Sequence, residues 1–213
     1  MTATVVSSES VFINCPFDDD YLPLFDAMLF AILACGFHPR CALEHSDGAE
    51  VRIDKLYSLV RECRLSIHDL SRVQLSAASQ LPRFNMPLEL GIWLGAKRFG
   101  TGQGKKVCLI FDTEKFRYQR FVSDISGQDP TPHADEPLQV VRAIRDWLQT
   151  VQPNARLPGG DEYAARYEKF RAVRDKLAAA AMLSVSKLTY LDRLHLVQDW
   201  LVNPAASTVP PAP

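Results

Sequence analysis

No cysteine pair in this 213-residue chain has the C-x-x-C spacing of a metal knuckle or a redox motif. The cysteines, at 15, 35, 41, 63 and 108, are an odd set scattered through apolar segments. They read as buried free thiols in a reducing compartment, which excludes a disulfide scaffold. The histidines (38, 45, 68, 133 and 195) show no paired ligand spacing, so no metal site is expected. Long apolar runs are missing too. The longest, residues 28–36, falls well short of the roughly twenty residues a helix needs to cross a bilayer. The opening residues carry neither the basic segment nor the apolar core of a secretion signal, so a cytoplasmic location without a membrane partner is the expectation. Net charge is nearly absent, with 24 basic against 25 acidic residues. That balance gives no footprint for duplex nucleic acid, which is not an expected partner, and leaves only a local basic patch open. There is no internal repeat and no G-x-S-x-G elbow. The glycine-rich stretch 100–106 precedes a strand instead of following one, and reads as a flexible turn instead of a phosphate loop.

What is present suits one medium domain with an appendage. Hydrophobic residues make up 47% and charged residues 23%, ordinary for a globular protein with a sizeable core. Short β-rich runs at 11–15, 37–43, 65–70 and 106–111 predict four strands. Apolar residues at three-four spacing predict helices over 21–35, 50–63 and 137–151, another opening near Asn85, and a shorter one over 116–125. Strands alternating with helices imply an α/β, flavodoxin-like (Rossmannoid) parallel sheet with helices on both faces. The character changes beyond residue 153. Asp161 is expected to cap a long helix, and residues 186–202 form a last one, giving a C-terminal helical hairpin. The expected organisation is therefore an α/β domain over 1–153, a helical extension over 154–203 and a disordered tail over 204–213 rich in Ala and Pro.

One acid stands out. Glu89 lies in Arg83-Phe84-Asn85-Met86-Pro87-Leu88-Glu89-Leu90-Gly91, an apolar helix with Asn85 as its expected cap and Pro87 in its first turn. Charged side chains are seldom buried without a partner or a task. In a parallel sheet every strand delivers its following loop to the same edge. The first strand brings Phe17 and Asp18 there, the third brings Asp69 and Ser71, and the Glu89 helix starts beside them. A carboxylate near a helix N-terminus is held ionised by the backbone dipole, fit to act as a nucleophile or to stabilise a cationic sugar centre. Each residue also has a plainer reading. Glu89 suits a first helical turn, Asp18 and its neighbours a solvated turn, Phe17 a lid over the core, and Asp69 a loop cap. Arg52 opens the second helix and reads either as a solvated cation or as a phosphate or ribose contact.

Val11-Phe12-Ile13-Asn14-Cys15-Pro16-Phe17, Ile67-His68-Asp69-Leu70-Ser71 and Met86-Pro87-Leu88-Glu89-Leu90-Gly91, in this order and spacing, resemble the nucleoside 2-deoxyribosyltransferase-like and TIR-like superfamily of bacterial nucleotide-processing domains. The resemblance covers roughly residues 10 to 112. It implies that Glu89 attacks or stabilises an anomeric carbon while an N-glycosidic bond breaks. It also implies that Asp69 helps place the ribose or base, with Phe17 in the pocket wall. The implied ligand is a nucleotide or NAD-like molecule, the implied setting antiphage defence or nucleotide signalling, and the implied assembly a homo-oligomer; no cofactor is implied. The transferases typically carry an aspartate and a glycine a few residues before the glutamate, where Arg83-Phe84-Asn85 stands here. Asparagine orients a hydroxyl but is no equivalent proton donor. Hydrolysis, or nucleotide sensing without turnover, therefore gains weight over 2-deoxyribosyl transfer.

Overall fold

The computed structural model describes residues 7–44, 47–75 and 81–203. The proposed tail beyond residue 203, and His45 and Ser46 in the loop after the second strand, lie outside the described residues. The elements run β1 (Ser7–Asn14), α1 (Leu22–Ala34), β2 (His38–Arg40), α2 (Arg52–Glu62), β3 (Cys63–Asp69), α3 (Asn85–Phe99), β4 (Val107–Asp112), β5 (Thr131–Pro132), α4 (Pro137–Val151), α5 (Gly160–Ala180) and α6 (Tyr190–Val202). All strand pairs are parallel, in the order β2-β1-β3-β4-β5. The fold is α/β and flavodoxin-like, as the alternation predicts.

Several element edges differ from the sequence reading. Pro39 and the exposed start at His38 restrict β2 to three residues, against the predicted run over 37–43. The predicted helix at 116–125 is two 3₁₀ turns, Arg117–Arg120 and Ser123–Ile125, entered through Phe116 at φ 63. Strand β5, only two residues long, has no sequence signature at all. Asn85 begins α3 instead of capping it: Phe84 occupies the cap in α conformation, with no side-chain cap bond. Gly159, not Asp161, caps α5; Asp161 sits in the first turn and pairs with Arg142 at 2.7 Å. Helix α6 starts later than residue 186, because the capping box of Thr189 and Asp192 sets its first turn.

The chain divides into two compact units, Met1–Phe25 with Phe37–Glu136, and Asp26–Gly36 with Pro137–Pro213. The division falls at Pro137, ahead of the composition change near residue 153, and each unit is discontinuous in sequence because α1 contributes to both. In the first unit, one face of the sheet packs on α2 and α3 through Phe12, Leu56, Leu59, Val60, Cys63 and Trp93. Leu70, Met86, Leu90, Ile110 and Tyr118 form a second cluster near the C-terminal edge. Lys106 is buried against these helices. Its ammonium lies 4.1 Å from the Trp93 ring and donates to the carbonyls of Val60 and Cys63, closing the C-terminal end of α2. In the second unit, Phe30, Tyr167, Phe170 and Trp200 form an aromatic cluster joining α1, α5 and α6. Asp26 is buried there between Arg174 and Arg193, at 2.9 and 2.6 Å. The five cysteines are free and all but Cys108 are buried. Among the described residues no helix is long and apolar enough to cross a membrane.

Candidate active site

In a 2-1-3-4-5 sheet the order of strand connection reverses at β1, and the crevice lies beyond the C-terminal ends of β1 and β3. A cleft of about 350 Å³ opens at the end of β1, lined by Cys15, Pro16, Phe17, Asp18, Arg52, Arg83, Asn85 and Met86. Its size suits a small ligand. Phe17 is half-buried, edge-on to Phe25 at 5.3 Å between ring centroids. Asp18 is bonded to Arg83, which ties the loop after β1 to the segment before α3. Arg52 begins α2 and is exposed, with no salt bridge to a carboxylate among the described residues. The structure therefore gathers Phe17, Asp18, Arg52 and Asn85 around one cleft, and adds Arg83.

Glu89 sits one helical turn beyond Asn85, on the same side of α3 and half-buried. It is the fifth residue of the helix, past the first turn where the dipole would hold it ionised. Burial pushes its carboxyl up to about 7, and Arg52 only partly opposes the rise. Among the described residues no hydrogen bond reaches it. Glu89 thus changes protonation near neutrality, contrary to the expectation of a firmly ionised acid. Its neighbour Cys15 stays a thiol, because burial and then the charges of Asp69, Cys41 and Glu89 all raise its pKa.

Asp69 and Ser71 lie elsewhere. Both are fully buried and, like Glu89, are not among the residues lining the cleft. Asp69 Oδ1 accepts the Ser71 backbone N–H at 2.7 Å, and Oδ2 accepts the Tyr21 hydroxyl. His133 Nε2 stands 3.1 Å from the same Oδ2, in hydrogen-bonding range although tilted off the line of an ideal bond. His133 Nδ1 accepts the Asp135 backbone N–H at 3.0 Å, so the neutral ring carries its proton on Nε2, facing Asp69. Burial alone would raise the Asp69 carboxyl. The contacts from His133, Ser71 and Tyr21 outweigh it and hold the group below its ordinary value. Ala134 and Asp135 follow in left-handed conformation, at φ 50 and 60, and Arg72 pins Asp135 at 2.8 Å.

Asp69 is therefore a keystone for three chain segments at this edge: the start of α1 at Tyr21, the loop after β3 and the loop after β5. Arg117 adds a fourth tie, reaching Asp112 Oδ1 at 2.7 Å and the Leu70 carbonyl at 2.8 Å. Sequence reasoning misses Tyr21 and His133, since each looks like an ordinary residue at a loop end. A buried aspartate at a strand end calls for donors from other loops, but nothing in the sequence identifies which loops supply them. Likewise Asn14 Nδ2 bonds both the His68 ring, at 2.9 Å, and the Met86 carbonyl, at 3.0 Å, fixing the start of α3 against β1 and β3. No protein-family model matches this chain, and comparison with curated proteins returns no match either.

Proposed function

We propose that the protein is a nucleotide N-glycosidase acting on NAD or a related nucleotide, with Glu89 as the reacting carboxyl. The observation that carries this reading is a half-buried glutamate, without a hydrogen bond among the described residues, behind a cleft that bears Arg52 and Arg83 at the switch point of the sheet. Arg52 suits a phosphate, as does Arg83 on exchanging Asp18 for the ligand, Phe17 offers a face for a base, and Asn85 supplies an amide for a ribose hydroxyl. As the glycosidic C–N bond breaks, its electron pair leaves with the base and positive charge develops on the sugar. The ionised Glu89 stabilises that charge until a water oxygen bonds to the anomeric carbon, and the water proton passes to Glu89 or to solvent. Asp69 acts from beneath by holding the loops, without touching the ligand.

The test is base release from NAD and a nucleotide panel, followed by chromatography. Glu89→Gln is expected to cut turnover by at least about a hundredfold while the circular dichroism spectrum is preserved. Wild-type turnover should rise with pH through about 7, as the carboxyl ionises. Undiminished release by Glu89→Gln sinks the assignment. A nucleotide sensor is the second reading, favoured because no free acid is among the residues lining the cleft: Glu89 stands behind that lining, Asp18 is tied to Arg83 and Asp69 is buried. Binding without product in the same panel would select it.

A further inference from the structure

The opposite edge of the sheet carries a different surface. Arg61 and Arg64 flank the junction of α2 and β3, α3 closes on Lys97, Arg98 and Phe99, and Lys105 precedes β4. Strands β3 and β4 are adjacent and parallel, with Leu65 opposite Val107, so these segments arrive together at the N-terminal edge. Arg61, Lys97, Arg98 and Lys105 are exposed and Arg64 is half-buried. Among the described residues none of them has a carboxylate partner; Arg61 contacts only the Ser58 hydroxyl, at 3.2 Å. The chain from Leu90 to Phe111 contains no acid. Glu62, between the two arginines, is drawn to Arg40 at 3.4 Å. A hollow of about 200 Å³ opens here, lined by Arg64, Gly102, Gln103, Lys105 and Lys106, the last with its ammonium committed to Val60 and Cys63.

Helix dipoles account for Arg61, Lys97 and Arg98 taken singly, since cations are favoured in a last turn. They do not account for Arg64 and Lys105, which lie outside the helices. Nor do they account for Phe99, which is 86% exposed beside this group. Unneutralised like charges repel one another, and an exposed phenyl ring forgoes the gain of burial. A phosphodiester chain with unstacked bases answers both features: phosphates neutralise the cations and a base covers the ring. A duplex keeps its bases stacked and leaves the ring bare. A bilayer surface would meet one isolated aromatic among cations beside a concave hollow, a poor fit for insertion. The near-zero net charge of the whole chain conceals this patch, because the balancing acids lie elsewhere.

We propose that this edge binds single-stranded nucleic acid, with Arg61, Arg64, Lys97, Arg98 and Lys105 on backbone phosphates and Phe99 as a stacking platform for one base. The experiment is fluorescence anisotropy of the full chain with a short labelled oligothymidylate, a duplex of equal length, and phosphatidylserine vesicles in parallel. If about four phosphates are engaged, affinity for the single strand should fall about fiftyfold between about 50 and 200 mM salt. The double variant R98A/K105A should roughly halve the slope of log affinity against log salt, and R98K/K105R should restore it. Phe99→Ala should weaken single-strand binding about tenfold without changing the salt slope. These positions are exposed, and unchanged thermal melting will confirm that the variants fold. No binding at low salt overturns the proposal. So does equal binding of the duplex with no effect of Phe99→Ala, and so does binding of vesicles but not of the oligonucleotide.

Discussion

Glu89 and Asp69 are both carboxyls withdrawn from water, and the groups around them decide what that withdrawal does. Among the described residues no hydrogen bond reaches Glu89, so burial raises it to about 7 from the usual 4.5 despite the charge of Arg52. Asp69 has donors on both oxygens and is held low despite complete burial. The consequences for stability have opposite signs. Between 4.5 and about 7 the folded state keeps a proton on Glu89 that the unfolded chain has released, so this group lowers stability as pH rises through that window. Glu89→Gln should remove the decline, seen as a variant that gains stability over wild type between pH 5 and 8 in urea titrations. Asp69 contributes stability that is present above the unfolded carboxylate range and is lost as pH falls through its lower folded value. Asp69→Ala strands the Tyr21 hydroxyl and the Ser71 amide, and should cost about 3 kcal/mol at neutral pH by urea unfolding. A loss below about 0.5 kcal/mol would show that the loops are held by other means. Glu89 was legible as a candidate because a charge in an apolar helix stands out. The partners of Asp69 were not, because Tyr21 and His133 are separated from it by 48 and 64 residues (69 − 21 and 133 − 69).

At the scale of elements, sequence pattern was most informative where an element is long and its chemistry local. Helix α4 runs over Pro137–Val151, the span its apolar spacing predicts, with Val140, Val141, Ile144 and Leu148 buried on one face. Helix α1 differs: Leu24, Phe25 and Ala27 through Ile32 are buried around its whole circumference, so a one-sided stripe describes it incompletely. Helix ends depended on side-chain detail. Thr189 and Asp192 bond each other's backbone N–H groups at 3.2 and 2.8 Å, which sets the start of α6 past residue 186. Thr189→Ala should cost about 1 kcal/mol, measured by chemical denaturation, whereas Thr189→Ser should be close to neutral. Strand β5 shows the limit of local pattern. Its two residues have no periodicity, and they are strand only because β4 offers Phe111 and Asp112 as partners.

The whole molecule combines a cleft at one edge of the sheet in its first unit with a basic surface at the other. A parallel sheet makes this separation unavoidable, since all strand C-termini lie on one side and all N-termini on the other. The proposed ligand of the cleft carries phosphate, so binding should stabilise the folded chain. A nucleotide at a hundred times its Kd should add about 2.7 kcal/mol, read as a concentration-dependent rise in Tm. Arg52→Ala and Arg83→Ala should each blunt the rise. A rise undiminished from wild type in both variants would place the phosphate elsewhere.

The succession of β1 to β4 with their connecting helices, the α/β class and the isolation of Glu89 in an apolar helix were determined by sequence alone, because periodicity and burial preference act over a few neighbouring residues. The tertiary structure decided the chemistry of the edge. It raised Glu89 from an expected anion to an acid titrating near 7, buried Asp69 among Tyr21, Ser71 and His133 away from the cleft lining, and brought Arg83 to the cleft. Protonation depends on burial and on charges contributed by distant segments, and those quantities exist only once the chain has folded.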